Sequence, residues 1–483
     1  MTEHDPVLVV DAGTSSVRVG IVDATARVVA ERRRPLPPAT PAPGLVEFDA
    51  AALADAVLDL ARALVADHGP VAAVGIANQR SSTVLWERAT GDPVAPAIGW
   101  QDVRTVGRCL ELAATGWRVG PNQSATKLEV LLDAVDPERN RDLCFGTVDS
   151  WLAWTLSDHR LHVTDGTNAH VTGLLDRTGD GWSAAARESL RIPAGVLPEV
   201  VDSTGVVGPA DAVPGAPPIA GILGDQQASL LGQACVRPGD AKITFGTGGM
   251  LDVVLGPDRP DFARGPAGTF PIVTRRVAGR DTWGLEAIMF AAGTSVEWLR
   301  ADLELIPDEA ASHDVAARAE DSGDVWFVPA LLGLGTPSWD YGARGALLGL
   351  TRGTTAAQVV RAVLEGVAHQ GADLVEAAVA DAGRPIDVLR VDGGMSANPT
   401  FLQALADASQ RPVEVSPVRE ATALGAAFAA GLAVGVWADD DAIAATWSPD
   451  QRIEPARHLD RDRWQAAVER ARSWIPELSA LDV

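Results

Sequence analysis

Cysteine is scarce in this sequence, and the few that are present exclude two common ways of building a site. The three cysteines, Cys109, Cys144 and Cys235, are far apart and odd in number. They match neither a zinc-binding spacing nor a disulfide framework, and such usage is typical of a reducing compartment. The histidines include His159 and His162, which have no cluster of partners, so we interpret them as structural or surface residues.

Long apolar runs are lacking too. No run reaches the length of about 20 residues that crosses a membrane. The N-terminus is short and polar and shows no signal-peptide pattern. These two absences predict a cytoplasmic protein that has no membrane as a partner.

Positive charge is in deficit. Lys and Arg total 40 against 64 Asp and Glu, which gives a formal net charge of −24. A surface this acidic disfavours non-specific binding to nucleic acid or to an anionic membrane. It does not exclude a local basic pocket for a phosphorylated ligand. We therefore expect a small molecule as the partner and no nucleic acid.

What the chain does have is length and apolar content. Its 483 residues exceed one ordinary core, so two or three domains are expected, and hydrophobic residues make up 47% of the sequence. Apolar strand patterns alternate with helical ones in the first part of the chain, an order typical of α/β domains.

A strand, a turn of small residues and a second strand open the chain. Residues 7–23 predict a β-hairpin, because an apolar run, a small-residue turn and an alternating run follow one another. The turn offers backbone N–H groups and the hydroxyls of Thr14, Ser15 and Ser16. Such a turn can bind a phosphate, and Asp11 beside it can hold Mg²⁺ through water. The alternative is an ordinary hairpin turn, since turns are commonly polar.

A similar pattern opens the second half of the chain. Residues 242–255 contain a short apolar strand, a Gly-Thr-Gly-Gly turn and a second apolar strand. Two such hairpins indicate an internally duplicated fold. Residues 237–240 are typical of a boundary between the halves. Residues 27–44, rich in Arg and Pro, are predicted to form a loop.

Two further turns, residues 224–226 and 392–398, follow predicted strands. Each has a simpler explanation alone, because Asp225 and Asn398 could each cap the helix that follows. Taken together, the four turns fit phosphoryl transfer, which needs a phosphate-binding turn, a carboxylate near Mg²⁺ and a base near the attacking hydroxyl. Neither a P-loop motif nor the protein-kinase motifs are present, so those two classes are excluded.

The sequence resembles the FGGY family of carbohydrate kinases over nearly its whole length. The family's C-terminal signature is matched at residues 345–350, 358 and 362–365. Its N-terminal signature is matched only in part, with Val130 in place of the usual Trp, by Ser124, Lys127, Leu128 and Asp133. Within the family, the phrases most similar to glycerol kinases are residues 78–80, 145–149, 163–165, 224–227, 246–248, 390–394, 418–420 and 422–426.

This resemblance implies a fold, cofactors and two domains. The fold is the duplicated ribonuclease-H-like α/β fold of actin-like ATPases, with two domains around an ATP cleft. Residues 1–237 would form an N-terminal domain with the polyol or sugar site and the first phosphate hairpin, and residues 238–483 a C-terminal, nucleotide-binding domain. ATP and Mg²⁺ are the implied cofactors, and a homodimer or homotetramer is consistent with the resemblance.

The resemblance also implies roles for individual residues. Asp225 matches the catalytic base, and Asp11 and Asp225 match positions near Mg²⁺. Nucleotide-binding positions are matched by Thr14, Ser15, Ser16, Arg18, Gly246, Thr247, Gly293, Gly394 and Asn398, together with Glu297, where glycerol kinases have Gln. Acceptor-binding positions are assigned to Arg80, Ser81, Trp100, Asp102, Asn122, Asp225 and Gln226.

Departures from the glycerol kinase pattern fall on the acceptor side. Ser81 stands where those enzymes carry Glu, and Asn122 and Gln123 stand where they carry Tyr and Phe. Met250 stands at a position where those enzymes carry an aromatic residue. Because the replacements are smaller or more polar, we expect a roomier pocket, and we predict a polyol or sugar longer than glycerol as the acceptor. A true glycerol kinase with compensating residues elsewhere is the alternative.

Two other classes of function share the predicted fold. One is an actin-like or chaperone-like ATPase, against which the chain shows no peptide-binding extension. The other is a non-catalytic, sugar-binding regulator, against which Asp11, Thr14 and Asp225 are all present. A small-molecule kinase is therefore the leading prediction.

Overall fold

Two mixed β-sheets, each built on one of the predicted hairpins, form the framework of the protein. The structure is a computed structural model that describes residues 5–176, 181–418 and 420–481. Both predicted hairpins are present, and in each case the loop that joins the two strands lies at one end of the strands of its sheet.

The first half of the chain supplies one large sheet, three separate two-stranded sheets and the helices around them. Its strands are β1 (Val7–Ala12), β2 (Ser16–Val22), β3 (Val28–Pro35), β4 (Glu47–Phe48), β5 (Ala73–Asn78), β6 (Val84–Glu87), β7 (Ala97–Ile98), β8 (Leu143–Gly146), β9 (Val163–Asp165), β10 (Glu199–Val201), β11 (Thr204–Pro209) and β12 (Pro218–Gly224). Its helices are α1 (Ala50–His68), α2 (Val106–Ala114), α3 (Ser124–Val135), α4 (Val148–Leu156), α5 (Gly166–His170), α6 (Ala184–Ser189) and α7 (Asp225–Gly232), with a short 3₁₀ turn at Ala194–Val196.

The second half supplies the other large sheet and one separate two-stranded sheet. Its strands are β13 (Ala241–Phe245), β14 (Gly249–Gly256), β15 (Phe270–Val277), β16 (Arg280–Met289), β17 (Trp326–Val328), β18 (Ala346–Leu348), β19 (Leu389–Asp392), β20 (Val413–Val415) and β21 (Gln451–Ile453). Its helices are α8 (Gly293–Ala301), α9 (Ser312–Ala316), α10 (Ala356–Ala382), α11 (Pro399–Ser409), α12 (Ala421–Val434), α13 (Asp440–Ala444), α14 (Arg461–Ala471) and α15 (Pro476–Ser479), with a 3₁₀ turn at Gly394–Ala397.

The two sheets repeat one arrangement of strands. The first has the order β11-β12-β5-β1-β2-β3, and the second the order β15-β16-β14-β13-β19-β20-β21. In the first, β1 is antiparallel to β2 and parallel to β5, which is parallel to β12. In the second, β13 is antiparallel to β14 and parallel to β19, which is parallel to β20. The predicted internal duplication is therefore confirmed.

Helix ends follow the local sequence signals. Thr355 and Gln358 form a reciprocal capping box at the start of α10. The Asn398 side chain accepts a hydrogen bond from the backbone N–H of Phe401 and so caps α11, whose first residue is Pro399. The Asp49 carboxylate caps α1 in the same way.

The prediction of a loop over residues 27–44 is wrong for its first part. Residues 28–35 form the edge strand β3, paired antiparallel with β2. An edge strand needs only one partner, and its exposed side chains can be charged, so a run of arginines does not prevent pairing. Its arginines find acids or hydroxyls nearby: Arg32 pairs with Asp67 and Arg34 with Asp59.

The turns predicted to form the site lie at the same end of each sheet, because the strands that lead into them are parallel. Asp11 lies opposite Ala77, and Gly224 lies opposite Asn78. The chain segments that leave β1, β5 and β12 therefore start side by side. In the second sheet, Thr244 lies opposite Asp392, which brings the turn at residues 246–249 next to the one after β19.

Helix α12 joins the halves, although it lies in the second half of the sequence. Its Ala426 carbonyl packs so close to Gly75 of the first sheet that a methyl group on Gly75 would overlap it. It also packs against α7, where Gly425 meets the Ala228 carbonyl and Gly232 meets the Ala421 carbonyl. Small residues thus allow backbone contact between the halves. Among the residues that the structure describes, no helix is long and apolar enough to cross a membrane.

Candidate active site

The first hairpin turn is closed on itself and tied to the acceptor side of the molecule. The Gly13 N–H donates to the Ser16 carbonyl over 3.1 Å. The Trp100 indole N–H donates to the Thr14 hydroxyl over 3.1 Å. Ser15 is exposed, and Thr14 and Ser16 are half-buried. Trp100, predicted to bind the acceptor, therefore contacts a residue predicted to bind the nucleotide.

A row of charged side chains crosses the sheet next to this turn. Asp11 lies opposite Arg18 on β2, and Arg18 lies opposite Arg33 on β3, so all three point from one face. Arg18 contacts Glu31 at 3.4 Å and also Glu420, just before α12. Sequence reasoning missed Arg33, since it lies in the stretch predicted to be a loop. Its Nε donates to the Ser16 hydroxyl over 3.1 Å, and the pairing of β3 with β2 is what brings it there.

Asp11 is in a setting where a cation would be favourable. The pKa of its carboxyl is raised to about 7, chiefly by burial and further by the negative charge of Asp225, against the opposing effect of Arg18. The two predicted metal ligands are thus close enough to repel one another. Mg²⁺ commonly uses one or two carboxylates and keeps several waters and substrate oxygens, so this pair fits it. Within the described residues, no group of three or more ligand-type side chains could hold a metal.

Asp225 occupies the first position of α7, directly after the buried strand β12. Its side chain is 31% exposed. Its Oδ1 accepts a hydrogen bond of 2.8 Å from the Gln226 backbone N–H and lies 3.6 Å from the Arg80 Nε. Burial raises the pKa of its carboxyl, and the positive charge of Arg80 partly opposes this. A carboxyl held in this way can accept a proton from a bound hydroxyl.

Arg80 lies between Asp225 and the second half of the molecule. Its aliphatic part packs over Gly224, where a Cβ atom would stand only 2.8 Å from the Arg80 Cγ and Cδ. Its Nη2 lies 2.6 Å from a carboxylate oxygen of Glu286 on β16. Burial raises the pKa of Glu286, and Arg80 lowers it. Arg80 is therefore oriented by carboxylates from both halves.

The second hairpin turn meets the start of α8. The Gly293 N–H donates to the Gly246 carbonyl over 2.9 Å, and the Ala292 N–H donates to the Thr247 carbonyl over 2.8 Å. A methyl group on Gly293 would stand 2.6 Å from the Gly246 oxygen, so this close approach requires glycine. The structure thus brings together three of the predicted nucleotide-binding residues.

The other residues predicted to bind the nucleotide fall into two groups by their position relative to this turn. Gly394 has open space where a Cβ would stand, and Asn398 spans from α11 to α9, with its Nδ2 donating to the Ser312 hydroxyl over 2.9 Å. Glu297, on α8, points into solvent with a side chain that is 58% exposed, 4.0 Å from Arg300. Gly394 and Asn398 follow β19 beside the turn, whereas Glu297 makes no contact with the turn that the structure records.

Two predicted acceptor residues are turned into the protein. Asp102 is fully buried, and its carboxylate accepts hydrogen bonds from the Val46 N–H at 2.7 Å and from Arg104. The buried Ser81 hydroxyl donates to the Val171 carbonyl over 3.1 Å. In this arrangement both side chains bind to the surrounding loops.

Asn122 and Gln123 precede α3. Asn122 is exposed, and the Gln123 side chain accepts a hydrogen bond from the Gly120 N–H over 2.9 Å. The buried Lys127 donates to the carbonyls of Gly99, Trp100 and Asn122. Lys127 therefore links the loop that carries Trp100 to the loop that carries Asn122. Arg419, in the segment at residues 418–420 that is similar to glycerol kinases, lies outside the described residues.

Three charged residues of the second sheet were missed by sequence reasoning. Lys242 and Asp252 lie in otherwise apolar strands and Glu286 lies in the apolar second half of β16, next to Gln226 and Arg80. A charged residue inside an apolar strand is the signal that could have identified them, because buried charges need partners.

Comparison with known proteins gives matches along nearly the whole chain. The N-terminal domain of the FGGY family of carbohydrate kinases matches residues 6–232, and its C-terminal domain matches residues 241–434. A glycerol kinase of Trichlorobacter lovleyi is 42% identical, over 97% of this chain and 99% of its own. One of Aromatoleum aromaticum is 44% identical, again over 97% and 99%.

Solved structures agree with these matches. A glycerol kinase of Plasmodium falciparum, solved with ADP, superposes with a TM-score of 0.90 at 29% identity and covers 99% of both chains. A xylulose kinase from Brucella ovis gives a TM-score of 0.86 at 25% identity and covers 98% of this chain and 99% of its own. The predicted actin-like ATPase fold is confirmed by this likeness to FGGY kinase structures.

Proposed function

This chain belongs to the FGGY family of carbohydrate kinases, and from that membership we propose that it transfers the γ-phosphoryl group of ATP to a hydroxyl group of a small polyol, with Asp225 as the base. The family makes the chain a phosphotransferase with an alcohol group as acceptor. The observation that carries the assignment to Asp225 is its position, 3.6 Å from Arg80 and near Asp11, which lies close to the end of the first hairpin's leading strand.

The proposed step is an in-line displacement. The acceptor oxygen forms a bond to the γ-phosphorus while the bond from that phosphorus to the β,γ-bridging oxygen breaks, and ADP leaves with the electron pair. The hydroxyl proton moves to the Asp225 carboxylate. General-base assistance of this kind contributes roughly 10²–10⁴ in rate.

The chain's other residues bind and orient the two substrates. The turn carrying Thr14, Ser15 and Ser16 offers N–H and hydroxyl donors to phosphate oxygens, and Arg18 adds positive charge on the same face. Mg²⁺ held between Asp11 and Asp225 through water would neutralise charge on the phosphates. Gly246, Thr247, Gly293, Gly394 and Asn398 are proposed to bind the nucleotide from the second half, and the proposed domain boundary lies between residues 237 and 238.

Two acceptors are supported by different observations. Glycerol is favoured because full-length relatives at 42% and 44% identity are glycerol kinases. A longer polyol or sugar is favoured by Ser81, Asn122 and Gln123, which are smaller or more polar than the glycerol kinase pattern. The Asn122 side chain is exposed, whereas the Ser81 hydroxyl already donates to the Val171 carbonyl.

A coupled assay of ADP release over an acceptor panel tests the proposal. The panel contains glycerol, erythritol, ribitol, xylitol and D-xylulose, together with a reaction that has no acceptor. We expect ADP only when an acceptor is present. The highest kcat/KM for glycerol would contradict the longer acceptor and support the glycerol kinase alternative. ADP formed equally without acceptor would overturn the kinase proposal in favour of an ATPase, and thermal stabilisation by a polyol without turnover would indicate a binding regulator.

A further inference from the structure

A row of charged side chains crosses the second sheet next to the acceptor residues. Lys242 on β13 is opposite Asp252 on β14, and Asp252 is opposite Glu286 on β16, so the three project from one face. The side chains of Lys242 and Asp252 are fully buried, and that of Glu286 is 9% exposed. Charges buried this deeply are costly unless each has a partner.

The Lys242 ammonium group has three polar partners. Its Nζ lies 2.8 Å from Asp252 Oδ2 and donates to the Thr244 hydroxyl over 2.9 Å. Its third partner is the side-chain oxygen of Gln226, at 2.6 Å. A lysine ammonium is a donor only, so the amide end of Gln226 that meets it must be the oxygen.

The direction of the Gln226 amide follows from this contact. With Oε1 held by Lys242, the two N–H groups of Nε2 are on the other side of the amide and can donate to another partner. Gln226 is only partly buried and adjoins Asp225. It can therefore offer donors to a ligand oxygen beside the proposed base.

Arg80, like Gln226, is held so that it offers hydrogen-bond donors. Its Nη2 contacts Glu286 at 2.6 Å and its Nε approaches Asp225 at 3.6 Å. Its Nη1 is buried and has no hydrogen-bond partner among the described residues. A buried donor without a partner is costly, and a ligand oxygen at this position would remove the cost.

We propose that Lys242 and Asp252 are positioning residues that hold Gln226 with its N–H groups toward the bound polyol. Glu286 likewise holds Arg80 so that its Nη1 donors are directed toward the polyol. Arg80 and the Gln226 amide nitrogen then present N–H donors to the polyol, and the Asp225 carboxylate presents a hydrogen-bond acceptor. The bound polyol must place hydroxyl lone pairs against Arg80 and Gln226 and give its one reacting proton to Asp225. This inference rests on the proposed function, because it assigns the polarity of that same site.

A double-mutant cycle tests whether Lys242 acts through Gln226. Lys242→Met with Asp252→Leu removes both buried charges together, so that neither remains unpaired. Gln226→Met removes the amide, and the triple variant combines the changes. We expect the charge-pair variant to raise KM for the acceptor about tenfold, as for the loss of one hydrogen bond, with KM for ATP and kcat within about twofold. The triple variant should then match Gln226→Met, because Lys242 has nothing left to orient.

Additive losses in the triple variant would overturn the proposal, and so would an unchanged acceptor KM in the charge-pair variant. Arg275→Met with Asp440→Asn is the matched control. It removes another charge pair of the second half, at 2.6 Å, away from these residues, and should leave the acceptor KM unchanged.

Gln226→Glu tests the same polarity without disturbing Lys242. The carboxylate can still accept a hydrogen bond from Lys242, but it has no N–H group to donate to the bound polyol. We expect its acceptor KM to rise at least as much as that of Gln226→Met, and wild-type binding in this variant would overturn the proposal. Titration calorimetry with glycerol and ribitol reads the same comparison without turnover. Failure of the proposed function is distinguishable, because it shows as absent acceptor-dependent ADP in the wild type.

Discussion

At the scale of single residues, the chemistry of the site depends on where each carboxylate is buried. Asp225 was identified from the sequence because a family phrase surrounds it, and its place at the start of α7 fits a base. Asp102 was predicted by the same kind of resemblance, yet its carboxylate is occupied by Arg104 and the Val46 N–H. A motif specifies which residue is present, whereas its direction depends on the loop that carries it.

Asp225→Asn should abolish transfer and retain nucleotide binding. The amide keeps the size of the side chain but cannot take the hydroxyl proton, so kcat should fall by roughly 10²–10⁴. Steady-state ADP release gives kcat, and titration calorimetry gives the affinity for ATP. Asp211→Asn, in a surface ion pair with Arg160, is the control and should retain wild-type kcat. Near-normal transfer in Asp225→Asn would remove Asp225 as the base.

His369 should make the protein less stable in mild acid. Burial lowers the pKa of its imidazole to about 3, and its Nδ1 accepts a hydrogen bond of 3.0 Å from Arg461, which holds it neutral. The unfolded chain takes up a proton near pH 6.5 and the folded chain does not, so stability falls as the pH drops from about 6.5 toward 3. At pH 5 the expected loss is about 2 kcal/mol.

Urea unfolding of His369→Gln between pH 5 and pH 7 measures this effect. Gln can still accept from Arg461 but takes up no proton, so the free energy of unfolding should depend less steeply on pH. His68→Gln, at the exposed end of α1, controls for the loss of a surface imidazole. An unchanged slope in His369→Gln would contradict the prediction.

At the scale of elements, strands and helices with a strong apolar period were predictable, and edge elements were not. The hairpins follow from their apolar runs and small-residue turns, and α1 and α10 follow from their apolar spacing and their side-chain caps. Strand β3 was missed because its arginines point to solvent and to acids on α1. Strands β15 and β16 carry no hairpin turn of glycine and hydroxyl residues, so sequence reasoning did not place them, and Glu286 was missed with them.

Gly425→Ala should destabilise the contact between α12 and α7. The added methyl group would overlap the Ala228 carbonyl, and backbone on both sides would have to move. Overpacking of this kind costs about 1–3 kcal/mol, measured as the free energy of unfolding in urea. Gly107→Ala is the matched control: it lies in helix α2 with nothing within 4 Å of an added Cβ, so it should be neutral or slightly stabilising. Equal stability of the two variants would contradict the close packing.

At the scale of the whole molecule, the site is assembled from both halves. Arg18 of the first hairpin contacts Glu420, and Arg80 contacts Glu286, so residues from each half orient residues of the other. The duplication was predictable from two hairpins with one pattern. The contacts between the halves were not, because pairs such as Arg80 and Glu286 are about two hundred residues apart and no local pattern links them.

The fate of the γ-phosphoryl group tests the central claim most directly. The wild-type protein is incubated with ATP and each polyol in ¹⁸O-labelled water, and the products are analysed by mass spectrometry. A kinase predicts one polyol phosphate for each ADP, with no oxygen from the solvent in the transferred group. ADP matched instead by inorganic phosphate that carries solvent oxygen would show hydrolysis and contradict the account.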